Sequence, residues 1–157
     1  MSRKVDYKVD AVVIGGGAVG LAVANQLATT LPNLLLVEKE PTFGRHISSR
    51  NSEVIHSGIY YEPDSLKSKL CIRGNQLLYE FLEMFDVDHK RTGKFLIAQN
   101  DEEQEVITKL FLNGRRTGVK GMSSVSSKRL KQIEPLIKAK EALHVKSTGI
   151  FDSHGYM

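Results

Sequence analysis

Apolar residues at the start of the chain change their spacing twice before Glu38. Val9, Ala11, Val12, Val13 and Ile14 form a short, nearly unbroken apolar run, which predicts a parallel strand buried on both faces. Val19, Val23, Leu27 and Leu31 then recur every fourth residue and share one face of a predicted helix. A second run, Leu34 to Val37, predicts a second strand. Further along, Leu66, Leu70, Leu77, Leu78, Phe81, Leu82 and Phe85 make an apolar stripe at helical spacing, read as a core-facing helix with Asp64, after Pro63, as its N-cap. Thr92 to Ala98 predicts a strand, and Glu102 to Arg116 a helix carrying Val106, Ile107, Leu110 and Phe111, with Gly114 and Gly118 marking its end. Ser127 to Glu134 predicts a short helix stopped before Pro135. Glu40 to Tyr61 reads as a loop with a short helix, because small polar residues replace any long apolar period there.

Between the first strand and the first helix stand Gly15, Gly17 and Gly20 in G-x-G-x-x-G spacing. The first glycine allows a tight turn, the second admits a pyrophosphate close to the backbone, and the third lets helix and strand pack closely. The amides at the helix start, at Ala18 and Val19, then face an anion together with the positive end of the helix dipole. Glu38, with Lys39 beside it, ends the second strand 23 residues after Gly15 (38 − 15 = 23). A carboxylate there accepts hydrogen bonds from an adenosine ribose. It would meet the extra phosphate of NADP, so this stretch points to FAD or NAD.

Composition narrows the class without changing it. At 157 residues, with 41% hydrophobic and 25% charged residues, the chain is about one domain long and ordinary for a globular protein. No apolar run approaches the ~18 residues needed to span a bilayer. The N-terminus, MSRKVDYKVD, meets the first strand too soon for a signal peptide, and Asp6 and Asp10 make it unlike a presequence. These residues predict a cytoplasmic protein. The single cysteine, Cys71, excludes an internal disulfide and reads as a small packing residue; no metal set is visible. The net charge of +4 is concentrated between Lys109 and Lys140, which holds nine Lys or Arg and one acid, Glu134. Without aromatic interleaving this reads as a solvated helix face, with attraction of an anionic substrate as a further use, and not as a nucleic-acid surface.

The loop after the second strand carries the more specific signal. Ser48, Ser49, Asn51 and Ser52 offer hydroxyls and an amide suited to phosphate oxygens or flavin edge atoms. Gly44, Ser48, Asn51, Ser52, Val54, Ile55, His56, Gly58, Tyr60 and Tyr61, followed by Pro63, Ser65, Leu66, Lys69 and Leu70, resemble the FAD-dependent L-2-hydroxyglutarate dehydrogenases. That family falls within the wider group of D-amino-acid oxidase-like flavin oxidoreductases. The resemblance continues in the strand from Gly93, the Glu134-Pro135 pair and the run Ser147 to Ser153.

That resemblance implies FAD as cofactor, and an α/β fold: a Rossmann-like FAD-binding domain, incomplete in this chain, with the start of an α+β substrate domain. It places the N-terminal part of the FAD domain in residues 1–88, the start of the substrate domain in 89–149, and a return toward the FAD domain in 150–157. It implies oxidation of a 2-hydroxy dicarboxylate, L-2-hydroxyglutarate, to 2-oxoglutarate, with electrons passed to an acceptor other than oxygen or NAD. The implied cofactor residues are Gly15, Gly17, Ala18, Val19, Gly20, Glu38, Lys39, Ser48, Asn51 and Ser52. His56 is the implied base near the flavin, and Tyr60 and Tyr61 are implied substrate hydroxyls. Imidazole is suited to taking the substrate hydroxyl proton near neutral pH. A dicarboxylate also needs cationic partners, and Arg45, Arg50 and Arg73 are the arginines near the motif, none of them assigned. The resemblance also admits a mitochondrial location. Two other readings stay open: another flavoenzyme of the group, acting on an amino acid or glycerol 3-phosphate, and a truncated, non-catalytic remnant.

Members of that family are well over twice as long, and these residues supply at most two parallel strands of the flavin domain's sheet. The chain by itself is therefore expected to be a fragment that is inactive and does not retain FAD stoichiometrically. Flavin absorbance per purified protein tests this; a ratio near one to one would overturn it.

Overall fold

The structure, a computed structural model, describes residues 8–157. Residues 1–7, which include most of the N-terminal stretch behind the cytoplasmic expectation, lie outside the described residues. By packing the chain divides into two compact units, one reaching to Ser52 and joined by Ser153–Met157, the other formed by Glu53–Asp152. The expected borders at 88/89 and 149/150 divide the chain by role. Packing divides it at 52/53 and 152/153.

The first unit is built on β1 (Ala11–Ile14), α1 (Ala18–Ala28) and β2 (Leu34–Val37). The two strands pair in parallel, with Ala11 opposite Leu34 and Ile14 opposite Val37. A 3₁₀ turn at Ile47–Ser49 and a short helix at Ser153–Tyr156 complete it. The expectation of a strand buried on both faces is corrected here, since Val12 is 48% and Ile14 84% exposed. The same holds for the shared face of α1: Val19 and Val23 are exposed, no α1 residue is buried, and the helix stops before Leu31. Apolar periodicity reports which face a segment is made to bury. Among the described residues of this unit nothing covers those faces.

All the buried hydrophobic residues among those described lie in the second unit. It comprises β3 (Val54–Ile55), α2 (Leu66–Met84), β4 (His89–Lys90), β5 (Lys94–Ala98), α3 (Asp101–Thr117), β6 (Met122–Ser126), α4 (Ser127–Ile133), β7 (Glu141–Val145) and β8 (Gly149–Phe151). These strands form two antiparallel sheets, in the orders β3-β8-β4 and β5-β7-β6. A core of Ile59, Ala98, Ile107, Val119, Leu143 and Val145 lies under the second sheet and α3. The ends of α3 explain its fit to its predicted span. The Asn100 side chain accepts from Glu103 N–H while Glu103 accepts from Gln99 N–H, acids fill the first turn, and Gly118 closes the helix in a left-handed conformation.

Helix α2 spans what its sequence predicts but buries a different face. Leu66 and Leu70 are 71% and 57% exposed, Leu77 and Phe85 are also exposed, and the buried residues are Ser68, Tyr79 and Leu82. Ser68, Ile72, Asn75, Tyr79 and Leu82 recur at three- and four-residue steps and form the inward stripe. Its polar members obscured it, because Asn75 and Tyr79 are held inside by hydrogen bonds to the Ser147 carbonyl. The N-cap is Ser65, whose hydroxyl accepts from Ser68 N–H at 3.1 Å. Asp64, the expected cap, instead turns the chain at φ 63°.

Where α2 crosses β8, Gly149 leaves room for nothing larger: a Cβ there would overlap the Tyr79 hydroxyl and the Lys90 carbonyl oxygen. Gly74, within α2, faces open space. The same substitution should thus act with opposite signs in urea denaturation. Gly149→Ala is expected to destabilise by about 1–3 kcal/mol through overpacking, and Gly74→Ala to stabilise by roughly 0.5–1 kcal/mol through helix propensity.

Candidate functional site

The loop from β1 into α1 is held open by side chains from later in the chain. Gly15 N–H donates to the Val37 carbonyl at 2.8 Å, which fixes the turn to the end of β2. Glu38 Oε2 accepts from Gly16 N–H at 2.6 Å, and its Oε1 accepts from Glu40 N–H at 3.0 Å. Those backbone donors, Glu40 first and Gly16 next, hold the Glu38 carboxyl below its usual range. It therefore stays ionised at neutral pH with lone pairs still directed outward. At Gly20 a Cβ would overlap the Gly15 carbonyl oxygen, so only glycine lets α1 approach β1 this closely. Ser48 Oγ accepts from Ala18 N–H at 3.0 Å, capping α1 from thirty residues downstream.

These groups surround a cavity of about 600 Å³ at the carboxyl ends of β1 and β2, lined by Ile14, Gly15, Gly17, Val37, Glu38, Lys39 and Ser48 together with Arg45, His46 and Ile47. Its position beyond the strand ends is the one nucleotides take in parallel α/β sheets. The Gly15, Gly16 and Ala18 amides are already bonded within the protein, so the positive end of the α1 dipole and the remaining amides of the turn suit a pyrophosphate, and the ionised Glu38 suits a ribose. The donor set therefore fits a dinucleotide. Ala18 and Val19 line a separate hollow with Ala22, Val23, Gln26 and Tyr156. Lys39 is exposed and pairs with Glu40 at 3.7 Å. Asn51 Nδ2 donates to the Ser48 carbonyl at 2.8 Å and to Ser153 Oγ at 3.4 Å, which ties the loop to the C-terminal turn of the same unit. Ser52 is exposed.

His56, Tyr60 and Tyr61 lie in the second unit, directly after β3. The His56 ring is exposed, and its backbone is fixed. Asn75 on α2 donates to the His56 carbonyl at 3.0 Å and to the Ser147 carbonyl at 2.9 Å, so one amide clamps this loop to the β7–β8 turn. Cys71 Sγ donates to the same His56 carbonyl at 3.6 Å. Burial pushes the Cys71 thiol up, outweighing the lysines near it, which suits the packing role read from the sequence. Each tyrosine carries a lysine over its ring: Lys94 over Tyr60 at 4.2 Å and Lys67 over Tyr61 at 4.5 Å from the centroids. Partial desolvation raises the Tyr60 phenol, which remains a donor.

Sequence reasoning named Arg45 without assigning it to the cradle, and missed His46 and Ile47 there and Asn75, Lys67 and Lys94 in the second unit. Arg45, His46 and Ile47 fall between Gly44 and Ser48 of the recognised motif and stand close enough to have been found by spacing, His46 also lying beside Glu40 at 3.0 Å. The others depend on long-range folding.

A parallel β-α-β unit with this cradle defines a dinucleotide-binding protein. The particular class follows from comparison: the sequence profile of the FAD dependent oxidoreductase family (DAO) matches residues 10–157, and the chain belongs to that family. It is 39% identical over 150 residues to an L-2-hydroxyglutarate dehydrogenase of Arabidopsis thaliana, covering 96% of this chain and 31% of that protein. It is 45% identical over 147 residues to the protein of the same name from Caenorhabditis briggsae, covering 92% and 34%. Both names specify mitochondrial proteins. Among solved structures, FAD-bound L-alpha-glycerophosphate oxidase from Mycoplasma pneumoniae superposes with a TM-score of 0.84 at 25% identity, over 94% of this chain and 40% of that one. The chain thus spans about a third of the length of these curated relatives. Its family is FAD-dependent, in accord with the cofactor implied by the Asn51-to-Tyr61 motif. Among the described residues no helix is long and apolar enough to cross a membrane.

Proposed function

We propose that these residues form part of an FAD-dependent dehydrogenase that oxidises L-2-hydroxyglutarate to 2-oxoglutarate and delivers the electrons to an acceptor other than oxygen or NAD. The observation that carries this reading is the 39–45% identity, across more than nine-tenths of the chain, to proteins named L-2-hydroxyglutarate dehydrogenase. On this reading the pyrophosphate lies at the turn from Gly15 through Gly17 to the start of α1 at Ala18 and Val19, with Gly20 keeping α1 close to β1, Glu38 and Lys39 take the adenosine ribose side, and Ser48, Asn51 and Ser52 approach the rest of the cofactor. Bound FAD supplies a hydride acceptor for C2 of the substrate.

The chain's own residues then manage the proton and the substrate's orientation. As C2 loses hydride its hydroxyl must lose a proton, and a ring nitrogen of His56 takes it. Asn75 holds the His56 backbone in place while the ring stays accessible. The hydroxyls of Tyr60 and Tyr61 donate to substrate oxygen.

Two substitutions test separate parts of the reading, in an enzyme of the relatives' full length carrying these residues. His56→Ala is expected to lower kcat by roughly 10²–10⁴-fold, the range of general acid–base catalysis, with FAD content unchanged. Retained turnover would remove His56, and preferential turnover of glycerol 3-phosphate or an amino acid would overturn the substrate. Gly20→Ala, by forcing α1 away from β1, is expected to weaken FAD binding roughly tenfold or more, about 1.4 kcal/mol, in a flavin fluorescence titration. Undiminished affinity would remove the close approach from the account of cofactor binding.

A further inference from the structure

A half-buried ammonium in the second unit lacks the partner its surroundings call for. Lys94, the first residue of β5, lies with its side chain partly covered and its Nζ over the Tyr60 ring. Among the described residues no carboxylate pairs with it: the ion pairs of the structure use Lys39, His46, Arg91, Lys109 and Lys140. Burial lowers the Lys94 pKa, the direction expected of a cation short of compensating charge. A ring face offsets part of that desolvation. A carboxylate would offset more.

Lys94 is joined to His56 by two routes within this unit. Tyr60, beneath the ammonium, lies four residues after His56. Asn75 links the His56 carbonyl to Ser147, and the next carbonyl, of Thr148, accepts from Gly93 N–H at 2.9 Å, immediately before Lys94. The cation therefore belongs to the surroundings of His56 while reaching it through shared neighbours.

We propose that Lys94 is the specificity-determining cation of the substrate site, binding the substrate carboxylate farther from the reacting carbon. This rests on the 2-hydroxy dicarboxylate reading given above. In such a substrate one carboxylate is bonded directly to the carbon that loses hydride, so its partner must crowd the base. The other lies three carbons further along and suits a group set back from His56. Tyr60 contributes a hydroxyl donor beside the ammonium, and its ring restrains the lysine chain.

The test compares L-2-hydroxyglutarate with L-2-hydroxyvalerate, which replaces the distal carboxylate by a methyl, in the FAD-loaded enzyme of full length. Lys94→Gln is expected to raise KM for the dicarboxylate roughly ten- to hundredfold, the range of a charged hydrogen bond, with kcat and the constants for the monocarboxylate nearly unchanged. Lys94→Arg keeps the preference. Lys94→Met, apolar and of similar length, gives the same loss where the glutamine variant does not fold. Calorimetric titration with glutarate provides a binding readout independent of turnover and should weaken in the same variants. Wild-type enzyme that does not oxidise L-2-hydroxyglutarate would overturn both readings. Wild type that does, with Lys94→Gln preserving the preference and the glutarate affinity, would overturn the role of Lys94 alone.

Discussion

The cradle depends on how near α1 comes to β1, a distance set at Gly20, where any side chain would strike the Gly15 carbonyl. Once the helix is that close, its N-terminus lies at the carboxyl ends of the strands. Glu38 and Ser48 can then reach back across the chain to Gly16 and Ala18. Both bonds are long-range in sequence yet short in space, and both join the loop to a later segment. The phosphate-facing geometry thus comes from covalent turn, helix start and two side-chain bonds acting together.

The second unit has a comparable organising point at Ser147 to Gly149. Ser147 O takes donors from Asn75 and Tyr79, Thr148 O takes Gly93 N–H, and Gly149 admits the Tyr79 hydroxyl against β8. Because β8 also pairs with β3, the residue after β3, His56, inherits its backbone position from this turn. A loop carrying an exposed imidazole is thereby held at its main chain. That arrangement suits a proton acceptor that must meet a substrate.

Much of this was legible in the chain. β2 occupies its predicted residues, and the glycine turn, α1 and the span of α3 follow from apolar period and capping chemistry. The buried face of α2 was not legible, since Ser68, Asn75 and Tyr79 look like surface residues until their partners near Ser147 are known. Strands β6 and β7 were missed for a related reason. Met122 to Ser126 is mostly serine, and its strand state comes from pairing with Glu141 to Val145 rather than from its own period. At the site, the glycines and Glu38 are a local pattern and were readable, whereas the placing of Lys94 over Tyr60 needs two segments brought together by folding.

The two units differ in what stabilises them, and the difference bears on cofactor binding. The second has an apolar core. The first leaves Ile14, Val19 and Val37 exposed and keeps its shape through backbone pairing and the bonds from Glu38 and Ser48. A structure held chiefly by hydrogen bonds, each contributing about 1 kcal/mol net, opens locally more readily than one held by burial. A dinucleotide in the cradle would bind only the closed form and stabilise it in proportion to the logarithm of its concentration. Cofactor affinity and order of the first unit are therefore one coupled quantity: whatever covers the apolar faces of β1, β2 and α1 tightens FAD binding without touching the cofactor.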